Sequence, residues 1–119
     1  MIGAFAEIEL TVGDADTAIA YGSGDVPVLA TPRVLALAEE AAVSAIAKTL
    51  DTSQTSVGTY VELHHVKATN VGGIVSARAE VVESDGRRIT FELSVTEGAE
   101  TVASGTHRRV VVDRDRFGG

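Results

Sequence analysis

The sequence predicts an α+β domain in which a long central helix packs on an antiparallel β-sheet, and three observations predict it. Residues 31–50 form an almost unbroken apolar, alanine-rich stretch with a helix start signal. From Ser56 the hydrophobic pattern changes to a two-residue repeat. Turn residues at Asn70–Gly73, Ser84–Gly86 and Glu97–Ala99 then cut that region into strand-sized lengths. The predicted order is strand, helix, then four strands in a meander.

Gly3–Val12 reads as the first strand, with Phe5, Ile8 and Leu10 set among small or acidic residues, and Gly13–Asp16 closes it with turn residues. Thr17–Val28 contains Tyr21-Gly22-Ser23-Gly24-Asp25 and Pro27 and reads as a loop with one short helical turn. The helix follows, with Thr31 expected at the cap and Pro32 at the first helical position, where a missing N–H leaves nothing newly unpaired. Apart from Ser44, only Glu39 and Glu40 interrupt the apolar run from Val34 to Ala47. A helix apolar nearly all round is expected to be buried, which makes a carboxylate in its middle anomalous. After the polar connection Asp51–Thr55, Val57, Thr59, Val61 and Leu63 alternate with Gly58, Tyr60, Glu62 and His64 in a half-buried strand. Ile74–Glu83 is expected to bury Val75, Ala77, Ala79 and Val81, and Arg88–Glu97 to bury Ile89, Phe91, Leu93 and Val95. Glu100–Val112 is the last strand, and 113–119 reads as a charged tail expected to fray.

At 119 residues the chain is expected to be one domain, 1–119, with a single core. Aromatic residues make up only 4%, so that core must be built from Val, Ala, Leu and Ile. No apolar run has membrane-spanning length and the N-terminus has no signal-like pattern, so the expectation is a cytoplasmic protein without a membrane partner. The absence of cysteine removes disulfides, thiolate nucleophiles and Cys-ligated zinc together. A net charge of −7 argues against nucleic acid as a partner, although arginine pairs in the C-terminal half leave room for a local anion site.

The candidate chemistry centres on Glu39 and His65. Leu35, Glu39, Ala42 and Ile46 share one helical stripe, so Glu39 points where apolar residues point, while Glu40 lies about 100° further round, toward solvent. A buried carboxylate is suited to acid or base chemistry near neutral pH. By strand parity His65 shares the inward face with Val61 and Leu63, and Glu39 is expected to face it across the core. Thr31 caps the helix and also sits at the positive end of its dipole, a place suited to a developing oxyanion. His107 and Arg108, in the basic run Gly105–Arg109, are expected to be exposed or anion-facing and to bind substrate. The glycines form no nucleotide-cradling signature, and three loosely spaced histidines make no metal site.

Read together, Leu29-Ala30-Thr31 with Glu39 eight residues on, Ser56-Val57-Gly58-Thr59, His65 within Leu63–Thr69, Asp85–Arg88 and Ser104–Arg109 resemble the fluoroacetyl-CoA thioesterase-like family. The resemblance covers residues 26–117. It implies the hotdog fold, hydrolysis of a small acyl-CoA without a cofactor, and a homodimer with its sites between protomers. It also implies that Thr31, Glu39 and His65 form the catalytic group and that the Gly58 backbone lies beside the acyl group. The stretch Ser23–Val28 lacks the aromatic residues of the fluoroacetyl-specific lid, so a different or more general short acyl group is implied. Two other classes remain open: an enoyl-CoA hydratase or dehydratase, and a non-catalytic acyl-CoA-binding module.

Overall fold

The period-two segments become the strands of one sheet. The computed structural model describes residues 1–117 and contains β1 (Phe5–Thr11), α1 (Ala18–Tyr21), α2 (Thr31–Ile46), β2 (Gln54–His65), β3 (Ile74–Asp85), β4 (Arg88–Glu97) and β5 (Glu100–Asp113). Single helical turns occupy Asp14–Asp16 and Arg114–Arg116. The second of these falls in the predicted frayed tail, where the Arg114 amide bonds to the Ser53 carbonyl at 2.9 Å. Gly118 and Gly119 lie outside the described residues.

All neighbouring strands pair antiparallel, in the order β1-β3-β4-β5-β2. The expected four-strand meander is corrected at one strand. β3, β4 and β5 form a meander through turns in which Gly86 and Gly98 adopt φ +60, but β2 pairs with β5 at the far edge. Residues 66–73 carry the chain past β5 and β4 to reach β3. They are pinned by the segment before α2, through the Leu29 amide to the Thr69 carbonyl at 2.9 Å and a bridge between Val28 and Asn70.

α2 crosses one face of this sheet. Its Val34, Leu37, Ala38, Ala41, Ala42 and Ile46 meet the inward rows of β3 and β4, Val75, Ala77, Ala79, Val81, Ile89, Phe91, Leu93 and Val95, all buried. Alanines on both surfaces let helix and sheet approach closely. Each fully buried large side chain, such as Leu37 or Phe91, contributes about 1.5–3 kcal/mol. The expectation of an all-round buried helix is corrected, because the sheet covers one side only and Glu40, Val43 and Ser44 stay exposed. α2 also stops at Ile46 rather than Leu50. Among the described residues no helix is long and apolar enough to cross a membrane.

Candidate active site

Thr31 does not cap the helix. Ala30 occupies the cap in extended conformation, Thr31 is the first residue of α2, and Pro32 follows it. The Arg33 and Val34 amides both bond to the Ala30 carbonyl, and Pro32 has no N–H, so the Thr31 amide is the first-turn donor left without a partner among the described residues. Freed from capping, the Thr31 hydroxyl lies 2.7 Å from Nδ1 of His65, the last residue of β2. The other ring nitrogen, Nε2, is buried without a hydrogen-bond partner among the described residues. The start of α2 is held in place by Arg33 Nε on the Asp16 carboxylate at 3.0 Å and by the Ala30 amide on the Asp16 carbonyl at 2.9 Å. Ala18, Ser23, Val28, Thr31, His65 and Lys67 line a depression of ≈ 320 Å³ at this point.

Glu39 belongs to a second cluster. Its Oε2 lies 3.4 Å from Arg109 Nη1 and 3.7 Å from His107 Nε2, and its side chain is 36% exposed. The buried Arg109 is held by Ser56 twice, Nε donating to the hydroxyl at 2.8 Å and Nη2 to the carbonyl at 3.1 Å. The chemistry of its neighbours sets the His107 tautomer. Nδ1 faces the Tyr60 carbonyl at 2.8 Å, an acceptor only, so Nδ1 carries the proton. Nε2 then accepts from Arg109 Nη1 at 3.1 Å, which requires a neutral ring. Burial pushes His107 below the ordinary imidazole range, and the Arg109 charge acts in the same sense against the Tyr60 carbonyl and Glu39.

A β-bulge between Gly58 and Tyr60 brings this cluster together. Gly58 pairs with Arg109, but Val61, after the bulge, pairs with His107. The extra residue switches strand parity, so Ser56 and Gly58 share the helix-facing side with Val61, Leu63 and His65. The simple alternation expected for β2 put Gly58 on the opposite side from those residues, and the bulge corrects it. A Cβ at position 58 would stand 2.8 Å from Glu39 Oε2, so the carboxylate occupies the space that only glycine leaves open.

Thr31 and His65 are therefore in contact, whereas Glu39 is paired with Arg109 and His107, and no hydrogen bond or ion pair joins it to His65 among the described residues. The expectation that Glu39 faces His65 is corrected within one chain: Thr31 and Glu39 stand about 12 Å apart along the helix axis, at 1.5 Å per residue. Glu40 is exposed as expected. His107, expected to be exposed or anion-facing, is 1% exposed with both ring nitrogens engaged, and it supports Arg109. Arg108 points from the opposite face of β5, its guanidinium 4.5 Å from the Tyr60 ring centroid. Arg109 escaped the sequence reading as a site residue. Its signal was parity, since 107, 109 and 111 share one side of a strand and Val111 marks that side as buried.

Residues 12–115 match the family model of the fluoroacetyl-CoA-specific thioesterase. The fluoroacetyl-CoA thioesterase of Streptantibioticus cattleyicolor is 36% identical over 90 residues, which span 76% of this chain and 65% of that protein. A point mutant of the fluoroacetyl-CoA-specific thioesterase, solved in complex with fluoroacetate and CoA, superposes with a TM-score of 0.90 at 30% identity, covering 98% of each chain. A hot-dog-like protein from Thermanaerovibrio acidaminovorans superposes with a TM-score of 0.87 at 25% identity, covering 99% of this chain and 93% of that one.

Proposed function

The chain belongs to the fluoroacetyl-CoA-specific thioesterase family, and on that premise we propose that it hydrolyses a small acyl-CoA thioester with Thr31, Glu39 and His65 as its catalytic group. The observation that carries the reading is the 2.7 Å contact between the Thr31 hydroxyl and His65 Nδ1 at the positive end of α2. There the unpaired Thr31 amide and the helix dipole stabilise the oxyanion that forms as the thioester carbonyl is attacked. Glu39 accepts the proton of the attacking water. The water oxygen bonds to the acyl carbon, the C–S bond breaks, and the departing thiolate takes up the proton that Glu39 removed from water, relayed through the His65 ring, so that both residues return to their starting states. Arg109 Nη1, 3.4 Å from Oε2, holds the Glu39 carboxylate in position. The acyl group is small but not restricted to fluoroacetyl, because Ser23–Val28 brings no aromatic side chain to the depression beside Thr31.

One chain separates the two halves of this group, and a homodimer reunites them, with Thr31 and His65 from one protomer and Glu39 from the other. Three features support a second copy. Among the described residues β2 is an unpaired sheet edge, Val61 on its helix-facing side is 36% exposed, and Val43 on the open side of α2 is 45% exposed. The test is complementation by co-expressed chains, Thr31→Ala in one and Glu39→Gln in the other. Each variant alone should be inactive toward acyl-CoAs. Random pairing makes half of the dimers mixed, each with one intact site of two, so about a quarter of wild-type turnover should return. No recovery would place the group within one chain, and wild-type turnover by both single variants would remove it altogether.

A further inference from the structure

The buried polar side chains among the described residues are Thr17, which caps α1, His107 and Arg109 of the Glu39 cluster, and Thr69. Thr69 is 1% exposed in the crossing segment 66–73, and its hydroxyl donates to Glu97 Oε1 at 3.1 Å. The same oxygen accepts from Lys67 Nζ at 2.6 Å, so one carboxylate at the end of β4 ties down two points of that segment. The Lys67 ammonium, helped by the Thr69 hydroxyl, holds the Glu97 carboxyl below the usual carboxylate range against the effect of partial burial. The other oxygen, Oε2, fills the space beside Gly73, where a Cβ would stand 2.9 Å from it and 2.6 Å from Thr69 Cγ2. Gly73 has no positive φ, so glycine is required here for space.

We propose that Glu97 is a positioning residue for the Thr31–His65 pair, an inference that rests on the thioesterase reading of that pair. Lys67 follows His65 by two residues, and Leu29, whose amide bonds to the Thr69 carbonyl at 2.9 Å, precedes Thr31 by two. Glu97 therefore holds the two ends of the chain that bring the hydroxyl and the imidazole together. Backbone bonding alone does not fix this link. The Val66 amide bonds to the Val102 carbonyl at 2.8 Å, but the Lys67 and Ala68 amides make no backbone hydrogen bond among the described residues. The side chains of Lys67 and Thr69 supply what the backbone lacks. An ion pair near the surface contributes little by itself, whereas the buried Thr69 hydroxyl loses its acceptor without Glu97. Thr31, His65, Lys67 and Ala68 line one depression and Glu97 lies outside its lining, so Glu97 acts through them.

The experiment compares Glu97→Ala, Glu97→Gln and Thr69→Val with the wild type by acyl-CoA hydrolysis, by residue-resolved amide hydrogen exchange and by the NMR spectrum of the histidine rings. Glu97→Ala should lower kcat about tenfold with little change in KM. Exchange at the Leu29 amide should quicken about tenfold, while Leu93 in the middle of β4 keeps its wild-type rate. The His65 ring resonances should move and those of His107, in the other cluster, should stay. Glu97→Gln should recover most of each change, because its amide oxygen still accepts from both donors. Thr69→Val, which removes the hydroxyl alone, should reproduce part of the loss. Full kcat in Glu97→Ala would overturn the proposal, as would unchanged exchange at Leu29. Equal acceleration at Leu29 and Leu93 would also overturn it, since the role would then be general stability. Exchange and ring spectra need no substrate. Both local changes in Glu97→Ala, beside a wild type that hydrolyses no thioester, would refute the thioesterase reading and leave Glu97 as the brace of the Thr31–His65 contact.

Discussion

Replacing Gly58 by alanine should impair catalysis while leaving the fold intact. Gly58 has no positive φ, so the reason for glycine here is space rather than backbone conformation. The added Cβ would stand 2.8 Å from Glu39 Oε2, while ordinary contact begins at 3.4 Å, so the carboxylate must withdraw by about 0.6 Å. It is already 3.4 Å from Arg109 Nη1, and withdrawal on that scale releases it from the guanidinium. A misplacement of about 1 Å in a reacting group costs on the order of 100-fold, so a drop in kcat on the order of tenfold is expected. Stability should change little. The displaced atom ends a flexible, partly exposed side chain, and losing glycine from the unfolded chain stabilises the fold by about 0.4–1 kcal/mol. The assay is kcat for acyl-CoA hydrolysis beside a urea unfolding curve. Full kcat in Gly58→Ala would refute the claim that this glycine exists to admit Glu39. A loss of activity matched by a loss of stability would refute it equally.

Two further outcomes follow from the same geometry. His107 is buried neutral with a lowered pKa, so below the ordinary imidazole value of about 6.5 the unfolded chain binds a proton that the folded chain refuses. Stability should therefore fall as the pH drops through that value, by up to about 1.4 kcal/mol per pH unit from this group. The urea midpoint of His107→Gln should change less than that of the wild type between pH 7 and pH 5.5, and an equal change in both would contradict the assignment. Gly105→Ala should strongly destabilise the fold, because its Cβ would overlap the Glu62 carbonyl oxygen of β2, and the paired strands must shift to admit it. A cost of at least about 3 kcal/mol is expected, and an unchanged urea midpoint would contradict it.

How far the sequence alone reached depends on how local the deciding interaction is. The inward rows of β3 and β4 are each set by alternation within a dozen residues, and their turns by Gly86 and Gly98, so these elements were legible. The helix was legible for the same reason, since its apolar composition and Pro32 act locally. Thr31, Glu39 and His65 could be singled out because each breaks or ends a local pattern. Which residues they meet was not legible. The position of β2 beside β5 rests on pairing across some fifty residues, as in Gly58 with Arg109, and periodicity names a face without naming a neighbour. The bulge at Gly58–Tyr60 shifts parity by one residue and leaves no periodic trace, yet it delivers Ser56 and Gly58 to Arg109 and Glu39. Composition and spacing thus determined the strands, the helix and the unusual polar residues. Tertiary pairing alone decided that Thr31 joins His65 while Glu39 joins Arg109, because hydrogen bonds and ion pairs form between neighbours in space.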